Sequence, residues 1–191
     1  MIKGDAMSLF QNQYRIESTR LREWDYSRAG LYFVTICTRD RAHFFGEIVA
    51  GEMQLSSIGG IVAEEWQKTT QIRPNVELDA SVVMPNHLHG IVAITYQIPN
   101  VETFRRNVST PAPNAPTARL QPNSLGSIIG QFKSVCTKRI WAAGFRDFAW
   151  QTRFYDHIIR DEKSLHKIRE YIINNVGRWE QDRNNAANSY M

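Results

Sequence analysis

The stretch VELDASVVMPNHLHGIVAIT (76–95) decides the fold of this chain. Two runs dense in Val and Ile, Val76–Met84 and His87–Thr95, are typical of neighbouring strands in the middle of a sheet. The Pro-Asn pair that separates them favours a tight turn. The stretch therefore predicts a hairpin of two central strands.

Further strands and helices are predicted on both sides of this hairpin. The extended segments are Leu31–Thr38, His43–Val49, Met53–Leu55 and Ala149–Ile159, and the helices run from Ser56 or Ser57 to about Ile72, from Ser124 to about Trp141 and from Asp161 to about Trp179. Each helix begins after a residue that can cap it and repeats its apolar residues at helical spacing. Helices packed against a mostly antiparallel central sheet define an α+β fold.

A single domain is expected to span residues 1–191. Polar residues 1–28 predict an irregular N-terminal arm. Five prolines within 97–124 predict a long loop rather than a domain boundary. The polar residues 180–191 predict a frayed tail.

Composition and charge suit a cytoplasmic protein that meets nucleic acid. The N-terminus lacks the apolar run of a signal peptide, and the apolar runs are too short to cross a bilayer, so no membrane partner is expected. Cys37 and Cys136 match no disulfide or metal pattern, which favours reduced thiols. The net charge is +4, and residues 119–191 hold 12 Lys and Arg against 7 Asp and Glu. That part is the better candidate for contact with a phosphate backbone, the alternative being ordinary solvated charge.

Two histidines stand on the second strand of the central hairpin. Strand alternation places the imidazoles of His87 and His89 on one face and Leu88 on the other. Such a pair can converge on one divalent ion, with oxygen ligands completing the site. From the tripeptide alone, the more common interpretation is one core histidine and one solvated histidine, and the apolar strands around the pair favour the metal site.

A tyrosine and an amide lie together on the last predicted helix. Tyr171 falls at the edge of the apolar stripe, and Asn175 lies one turn later on the same flank. An ordinary boundary tyrosine and a late polar residue would give the same pattern. Joined to a metal-binding histidine pair, however, the phenol can act as a nucleophile on a phosphate.

Several segments resemble a known family. MPNHLHGIV (84–92) is similar to the histidine-hydrophobe-histidine motif of the HUH endonucleases, and in particular of their single-tyrosine transposases. DYSRAGLYFVTICTRDRAHFFGEI (25–48), SLGSIIGQFKS (124–134), FYDHIIRDEKSL (154–165) and YIINNVGRW (171–179) narrow the resemblance to the REP-associated tyrosine transposases. These segments span most of the chain in the right order.

The resemblance implies a fold, a chemistry and a site. The fold is a ferredoxin-like, RRM-like core, and the activity is the cleavage and rejoining of single-stranded DNA at hairpins of the REP type through a 5′-phosphotyrosine. His87 and His89 match the metal ligands, Tyr171 matches the nucleophile, and Asn175 matches a third polar ligand. The implied cofactor is Mg²⁺ or Mn²⁺, and the implied state is a nucleoid-associated monomer or homodimer.

One departure from the family pattern bears on the last helix. Relatives often have Asn-Pro where this chain has Asn175-Val176. Val continues a helix more easily than Pro, which predicts that the helix runs on toward Trp179.

Other polar residues near these motifs are candidates for weaker roles. His157 fits the family pattern as a residue that orients a ligand rather than binding the metal. Candidate DNA contacts are Lys133 and Arg153 near the motifs, and Arg15, Arg20 and Arg22 in the arm. His43 and His166 are expected at the surface.

Two further functions compete with a strand-transfer enzyme. A domesticated hairpin-binding protein would keep the fold without turnover, although it would need no intact His87, His89 and Tyr171. A metal-dependent hydrolase of small phosphoesters would need more carboxylates near the histidines, and the strands offer only Glu77 and Asp79.

Overall fold

Eight strands and three α-helices occur in the part of the chain that the computed structural model describes, which is residues 9–10, 13–14, 21, 24–96 and 121–185. The strands are β1 (Leu9–Phe10), β2 (Gln13–Tyr14), β3 (Gly30–Cys37), β4 (Gly46–Val49), β5 (Glu52–Leu55), β6 (Val76–Met84), β7 (His87–Ile94) and β8 (Tyr155–Ile159). The helices are α1 (Ser57–Ile72), α2 (Leu125–Ala142) and α3 (Glu162–Ile173), with 3₁₀ turns at Arg39–Arg41 and Val176–Gln181.

The central sheet has four strands in the order β6-β7-β3-β8, and every neighbouring pair is antiparallel. The connection through α1 leads from β3 to β6, and the connection through α2 leads from β7 to β8. Each connection skips one strand, as in the split β-α-β units of ferredoxin-like folds. The predicted α+β fold with an antiparallel sheet flanked by helices is confirmed.

Helices α1 and α2 cover one face of the sheet. The hydroxyl of Ser56 accepts a hydrogen bond from the backbone N–H of Gly59 and so caps α1 as predicted. Trp66 of α1 is buried against β7, where an added Cβ at Gly90 would lie 2.4 Å from the indole Cζ2. The residue after the second histidine must therefore be small, because the indole ring fills the space above it.

The opposite face of the sheet is covered by α3. Phe33 and Ile91 from the sheet form a cluster with Leu165 and Ile172 from the helix. Asp161 caps the helix, its carboxylate accepting the N–H of Ser164 at 2.8 Å. The four-stranded sheet thus separates a large core under α1 and α2 from a small core under α3.

The end of α3 differs from its prediction. The helix ends at Ile173, and Val176–Gln181 follows as a 3₁₀ turn instead of a continuation to Trp179. The N–H of Asn174 closes the last turn on the carbonyls of Glu170 and Ile172. Val176 would allow the helix to continue, but the chain bends here and Asn175 becomes buried.

The chain ends also differ from their predictions. The frayed tail predicted over 180–191 is wrong for Asp182 and Asn184, which are only 6% and 5% exposed. Residues 149–154, predicted as part of an extended segment, contribute only an isolated bridge between Trp150 and Thr38 before β8 begins. Within the predicted arm, β1 and β2 pair with each other. Positions 97–120 of the predicted Pro-rich loop lie outside the described residues.

Candidate active site

The two histidines of β7 face α3 from the centre of the sheet. Across the strand pair His87 is opposite Cys37, and His89 is opposite Thr35. Neither histidine side chain is exposed, and their Nε2 atoms lie 3.0 Å apart. Leu88 between them belongs to the core on the other face. Strand alternation therefore predicted correctly that both rings would converge.

Asn86 fixes the orientation of the His87 ring. Its amide nitrogen donates to the carbonyls of Arg41 at 3.0 Å and Asn184 at 2.8 Å, which leaves the amide oxygen facing His87 Nδ1 at 2.8 Å. An amide oxygen only accepts hydrogen bonds, so Nδ1 of His87 must hold the proton. The lone pair of His87 Nε2 is consequently directed toward His89 and available for a cation.

His89 is held by two residues of β3. Its Nδ1 lies 2.9 Å from the hydroxyl of Thr35, and its ring stacks on Phe33 with the centroids 5.3 Å apart. Because a hydroxyl can accept the Nδ1 proton, His89 can also present the lone pair of Nε2 to a shared ion.

Tyr171 brings its phenol to this pair from α3. Its hydroxyl lies 3.2 Å from Nε2 of His89 and 3.5 Å from Oδ2 of Asp182. The ring is half-buried and meets Phe33 edge-on at 6.1 Å. The residue predicted as a nucleophile therefore lies directly beside the predicted metal ligands.

Asp182 is the site residue that sequence reasoning missed. After the 3₁₀ turn the chain returns to α3, and Asn175 Nδ2 donates to Asp182 Oδ2 at 3.1 Å. The carboxylate, His87 and His89 each place one ligand atom within 4.8 Å of the others. In the sequence, Asp182 begins an Asp-Arg-Asn-Asn run near the terminus, which is typical of a solvated tail. Only its proximity to Asn175 in the folded chain identifies Asp182 as a site residue.

The donor set at this site fits a divalent metal ion. The buried amide oxygen of Asn175 has no hydrogen-bond partner among the described residues. A buried acceptor without a donor is costly unless a cation or water satisfies it. Two imidazole nitrogens and a carboxylate, with this amide oxygen, could hold a divalent metal ion.

Burial and neighbouring charge hold the site groups in particular protonation states. Burial, with the nearby cations Arg41 and Arg183, lowers the pKa of His87 to about 3. Burial and the adjacent His87 lower the pKa of His89 well below its usual value. Both imidazoles are therefore neutral at physiological pH, which is the form that binds a metal. Burial and then the carboxylate of Asp182 raise the pKa of Tyr171.

Other predicted residues lie at varying distances from this centre. The ammonium of Lys133 donates to the carbonyls of Gln151 and Thr152, so the structure gives it a role in anchoring the segment before β8. His157 lies on β8, exposed and opposite Phe33, and Arg153 is exposed just before that strand. Asp79 is paired with Arg169 of α3. Arg15, Arg20 and Arg22 lie outside the described residues.

Comparisons with known proteins agree with this fold. The chain matches the solved structure of a REP-associated tyrosine transposase bound to a REP hairpin, with a TM-score of 0.55 and 20% identity, over 87% of this chain and 77% of that one. A structure from Deinococcus radiodurans aligns over 82% of this chain and 97% of its own with 16% identity and a TM-score of 0.40, a likeness too weak to define a fold. No protein-family model matches the chain.

The chain therefore has the α+β fold of the REP-associated tyrosine transposase structure, which confirms the resemblance at the level of the fold. A Haemophilus influenzae protein of uncharacterised function is 39% identical to it over 168 residues, which are 86% of this chain and 90% of that protein. The chain belongs to the same family as this Haemophilus protein. None of the described helices has the length and apolar character needed to span a bilayer.

Proposed function

We propose that this protein cleaves and rejoins single-stranded DNA through a covalent bond to Tyr171, as a transposase of the REP-associated tyrosine group. The observation that supports this proposal most directly is the position of the Tyr171 hydroxyl, 3.2 Å from His89 Nε2 and beside Asp182. A nucleophile that contacts metal-type ligands in a transposase fold is suited to phosphoryl transfer.

The proposed reaction exchanges one phosphodiester for another. The phenol oxygen of Tyr171 attacks the phosphorus, a Tyr–O–P bond forms, and the bond between phosphorus and the 3′-oxygen breaks. The released strand leaves with a 3′-hydroxyl after gaining a proton, and the other strand stays attached as a 5′-phosphotyrosine. The bond energy is conserved, so a 3′-hydroxyl can attack the phosphotyrosine and reverse the step without a nucleotide cofactor.

Residues of the chain prepare the phenol for this attack. Phe33 of β3 meets the Tyr171 ring edge-on, and Ile172 of α3 packs in the same cluster. Together these two residues limit the positions of the Tyr171 ring. Asp182 Oδ2 lies 3.5 Å from the phenol oxygen and is placed to take its proton. His87, His89, Asp182 and Asn175 would hold the ion, which when bound supplies positive charge that offsets the charge of the phosphate and favours the phenolate.

The proposed substrate is a single-stranded segment next to a DNA hairpin. The solved transposase of similar fold is bound to a REP hairpin. Arg41 and Arg183 lie close enough to His87 to lower its pKa, so two cations lie near the site where a phosphate would bind. Such charge favours a polyanion over a small neutral substrate.

The test is to trap the phosphotyrosine. The protein is incubated with an end-labelled single-stranded hairpin and Mn²⁺ or Mg²⁺, and adducts are resolved on a denaturing gel. A metal-dependent adduct is expected for the wild type and for Tyr96→Phe, the matched control at the far end of the sheet. Tyr171→Phe should give none, because it lacks the attacking oxygen.

Two outcomes would contradict the proposal. An adduct that persists in Tyr171→Phe would show that another residue is the nucleophile. An adduct that forms equally in excess chelator would show that the reaction needs no metal. Binding of the hairpin with no cleavage under any metal would favour the alternative of a hairpin-binding protein. The hydrolase alternative would need more carboxylates at the histidines than Asp182, and Asp79 of β6 is paired with Arg169 instead.

A further inference from the structure

An exposed aromatic ring lies on the same face of the sheet as Tyr171. Tyr155 begins β8 and is 40% exposed, although it points toward the face that α3 covers elsewhere. His157, two residues later, is exposed on the same face. The helix packs against β6 at the other edge of the sheet, which leaves this part of β8 open.

The strand register places Tyr155 in one row with His89. Thr35 of β3 is opposite His89 on one side and opposite Tyr155 on the other. Side chains at paired positions of neighbouring strands point to the same face. Tyr155 is therefore about 10 Å from His89 across two strand spacings, at the end of the sheet where Tyr171 lies.

Aromatic contacts connect Tyr155 to the nucleophile. The ring of Phe33 meets Tyr155 edge-on at 6.4 Å and Tyr171 edge-on at 6.1 Å. Phe33 therefore lies between the Tyr155 and Tyr171 rings, and Tyr155 is a neighbour of the proposed reaction centre rather than an isolated surface tyrosine.

A guanidinium lies over this ring. Arg183 follows Asp182 directly, is exposed, and has its Cζ 5.3 Å from the centre of the Tyr155 ring. Its carbonyl accepts a hydrogen bond from Arg41, which holds its backbone in place. An aromatic face beside a cation has the two features that bind an unpaired nucleotide, one for the base and one for the phosphate.

An open groove of about 510 Å³ extends from Tyr155 along β8. Its lining includes His157 and Arg160 and, on the acidic side, Asp156 and Asp161. The carboxylate of Asp161 is occupied by the N–H and the hydroxyl of Ser164 at the start of α3. At the Tyr155 end the guanidinium of Arg183 lies beside the ring, so this end offers an aromatic face and a cation together.

We propose that Tyr155 and Arg183 hold the nucleotide next to the scissile phosphate: the Arg183 side chain turns from the Tyr155 ring to pair with its phosphate, and its base takes the place of the guanidinium on that ring. This inference rests on the proposed function and identifies where the unpaired strand lies. Stacking on an aromatic ring accepts any base, because every base has a flat face. The strand then continues along the groove beside β8, away from the metal ligands.

The test measures binding without cleavage. In a Tyr171→Phe background and with chelator present, a fluorescein-labelled thymidine 20-mer containing one 2-aminopurine is titrated with protein. Tyr155→Leu should weaken binding about 10-fold and abolish the quenching of 2-aminopurine that stacking produces, whereas Tyr155→Trp should keep both. Arg183→Gln should weaken binding and reduce the slope of log affinity against log salt by about 0.7, the value for one lost phosphate contact on a single strand.

Two matched controls lie away from this face. Tyr96→Leu removes a more exposed tyrosine beyond the far end of β7, and Lys138→Gln removes a cation from α2 on the opposite face. Both should bind like the parent, and thermal unfolding followed by circular dichroism confirms that each variant is folded. If Tyr155→Leu proves unfolded, the test rests on Arg183→Gln, since Arg183 is exposed. The deciding quantity is then the slope of log affinity against log salt for this variant.

The proposal is overturned if Tyr155→Leu and Arg183→Gln bind like the two controls, or if the parent does not bind the oligonucleotide. The adduct test of Tyr171 uses cleavage, and this test uses binding under conditions where cleavage is blocked. A protein that forms the adduct but shows no effect at Tyr155 keeps the proposed function and loses only the nucleotide site.

Discussion

Asn86 illustrates how a single side chain assembles the site. It is completely buried, and one amide group contacts the ring of His87 through oxygen and two separate backbone segments through nitrogen. One of those segments, at Asn184, is two residues from Asp182. The same residue therefore orients one proposed metal ligand and holds the segment that supplies another.

We expect Asn86→Ala to weaken Mn²⁺ binding by about 10- to 100-fold, as removal of groups behind metal ligands does in other proteins. The physical reason is that His87 loses its fixed tautomer and the segment around Asp182 loses an anchor. Titration calorimetry with Mn²⁺ measures the effect directly, without DNA. Asn174→Ala is the matched control, since Asn174 is exposed and its amide only closes a helix turn. Equal affinity in the two variants would contradict the role of Asn86.

Asp182 supplies the charge of the proposed ligand set. Asp182→Asn keeps the shape of the side chain and removes its negative charge, so the affinity for Mn²⁺ should fall at least about 10-fold. Asp147→Asn, an exposed carboxylate on the loop after α2, should leave the affinity unchanged. A titration in which Asp182→Asn matches the wild type would exclude this carboxylate as a ligand.

At the scale of elements, β7 serves both faces of the sheet. Its histidines face α3, while Leu88 and Gly90 face the helices on the other side, where Trp66 occupies the space above Gly90. The position of the histidines thus depends on packing beneath them. Any change that moves β7 away from α1 also moves His89.

Gly90→Ala should lower the free energy of unfolding by about 1–3 kcal/mol, because the new methyl group would overlap the indole of Trp66. Gly60→Ala on α1 is the matched control. An added Cβ there meets nothing within 4 Å, and alanine in a helix is favoured by about 0.5–1 kcal/mol over glycine. Urea unfolding measures both free energies. A stabilised Gly90→Ala variant would show that the ring moves aside at no cost.

Local patterns predicted the elements well where packing and propensity agree. Alternating residues placed His87, His89 and Leu88 on their correct faces, and helical spacing placed Tyr171 at the edge of its stripe. The path of the chain after Ile173 could not be predicted in the same way. Val176 permits a helix where a proline would not, whereas the observed bend follows from the burial of Asn175 against Asp182, seven residues after Asn175. A contact of that kind leaves no periodic signal in the sequence.

At the scale of the whole molecule, the edge of the sheet formed by β6 bears on assembly. The pairing of β6 with β7 shifts register between Leu78 and Ser81, and at this irregularity Asp79 accepts two hydrogen bonds from Arg169 of α3. A bulge and a charged pair interrupt the row of backbone groups that a second copy would need for strand pairing.

We therefore expect the protein to be a monomer at micromolar concentration. Size-exclusion chromatography with light scattering should give a mass near 22.1 kDa, the mass of one chain. The double variant Asp79→Ala with Arg169→Ala tests whether the charged pair blocks strand pairing between copies, because it removes this pair and keeps the bulge. A wild-type mass of twice that value would contradict the expectation.

The groups that meet at Tyr171 come from β7, α3 and the segment after α3 of a single polypeptide. Dilution cannot separate such a centre, because its parts are joined by peptide bonds rather than by an interface. Specific activity should then be the same at nanomolar and micromolar protein. Under the proposed function, each copy would act on its own stretch of DNA without waiting to meet another.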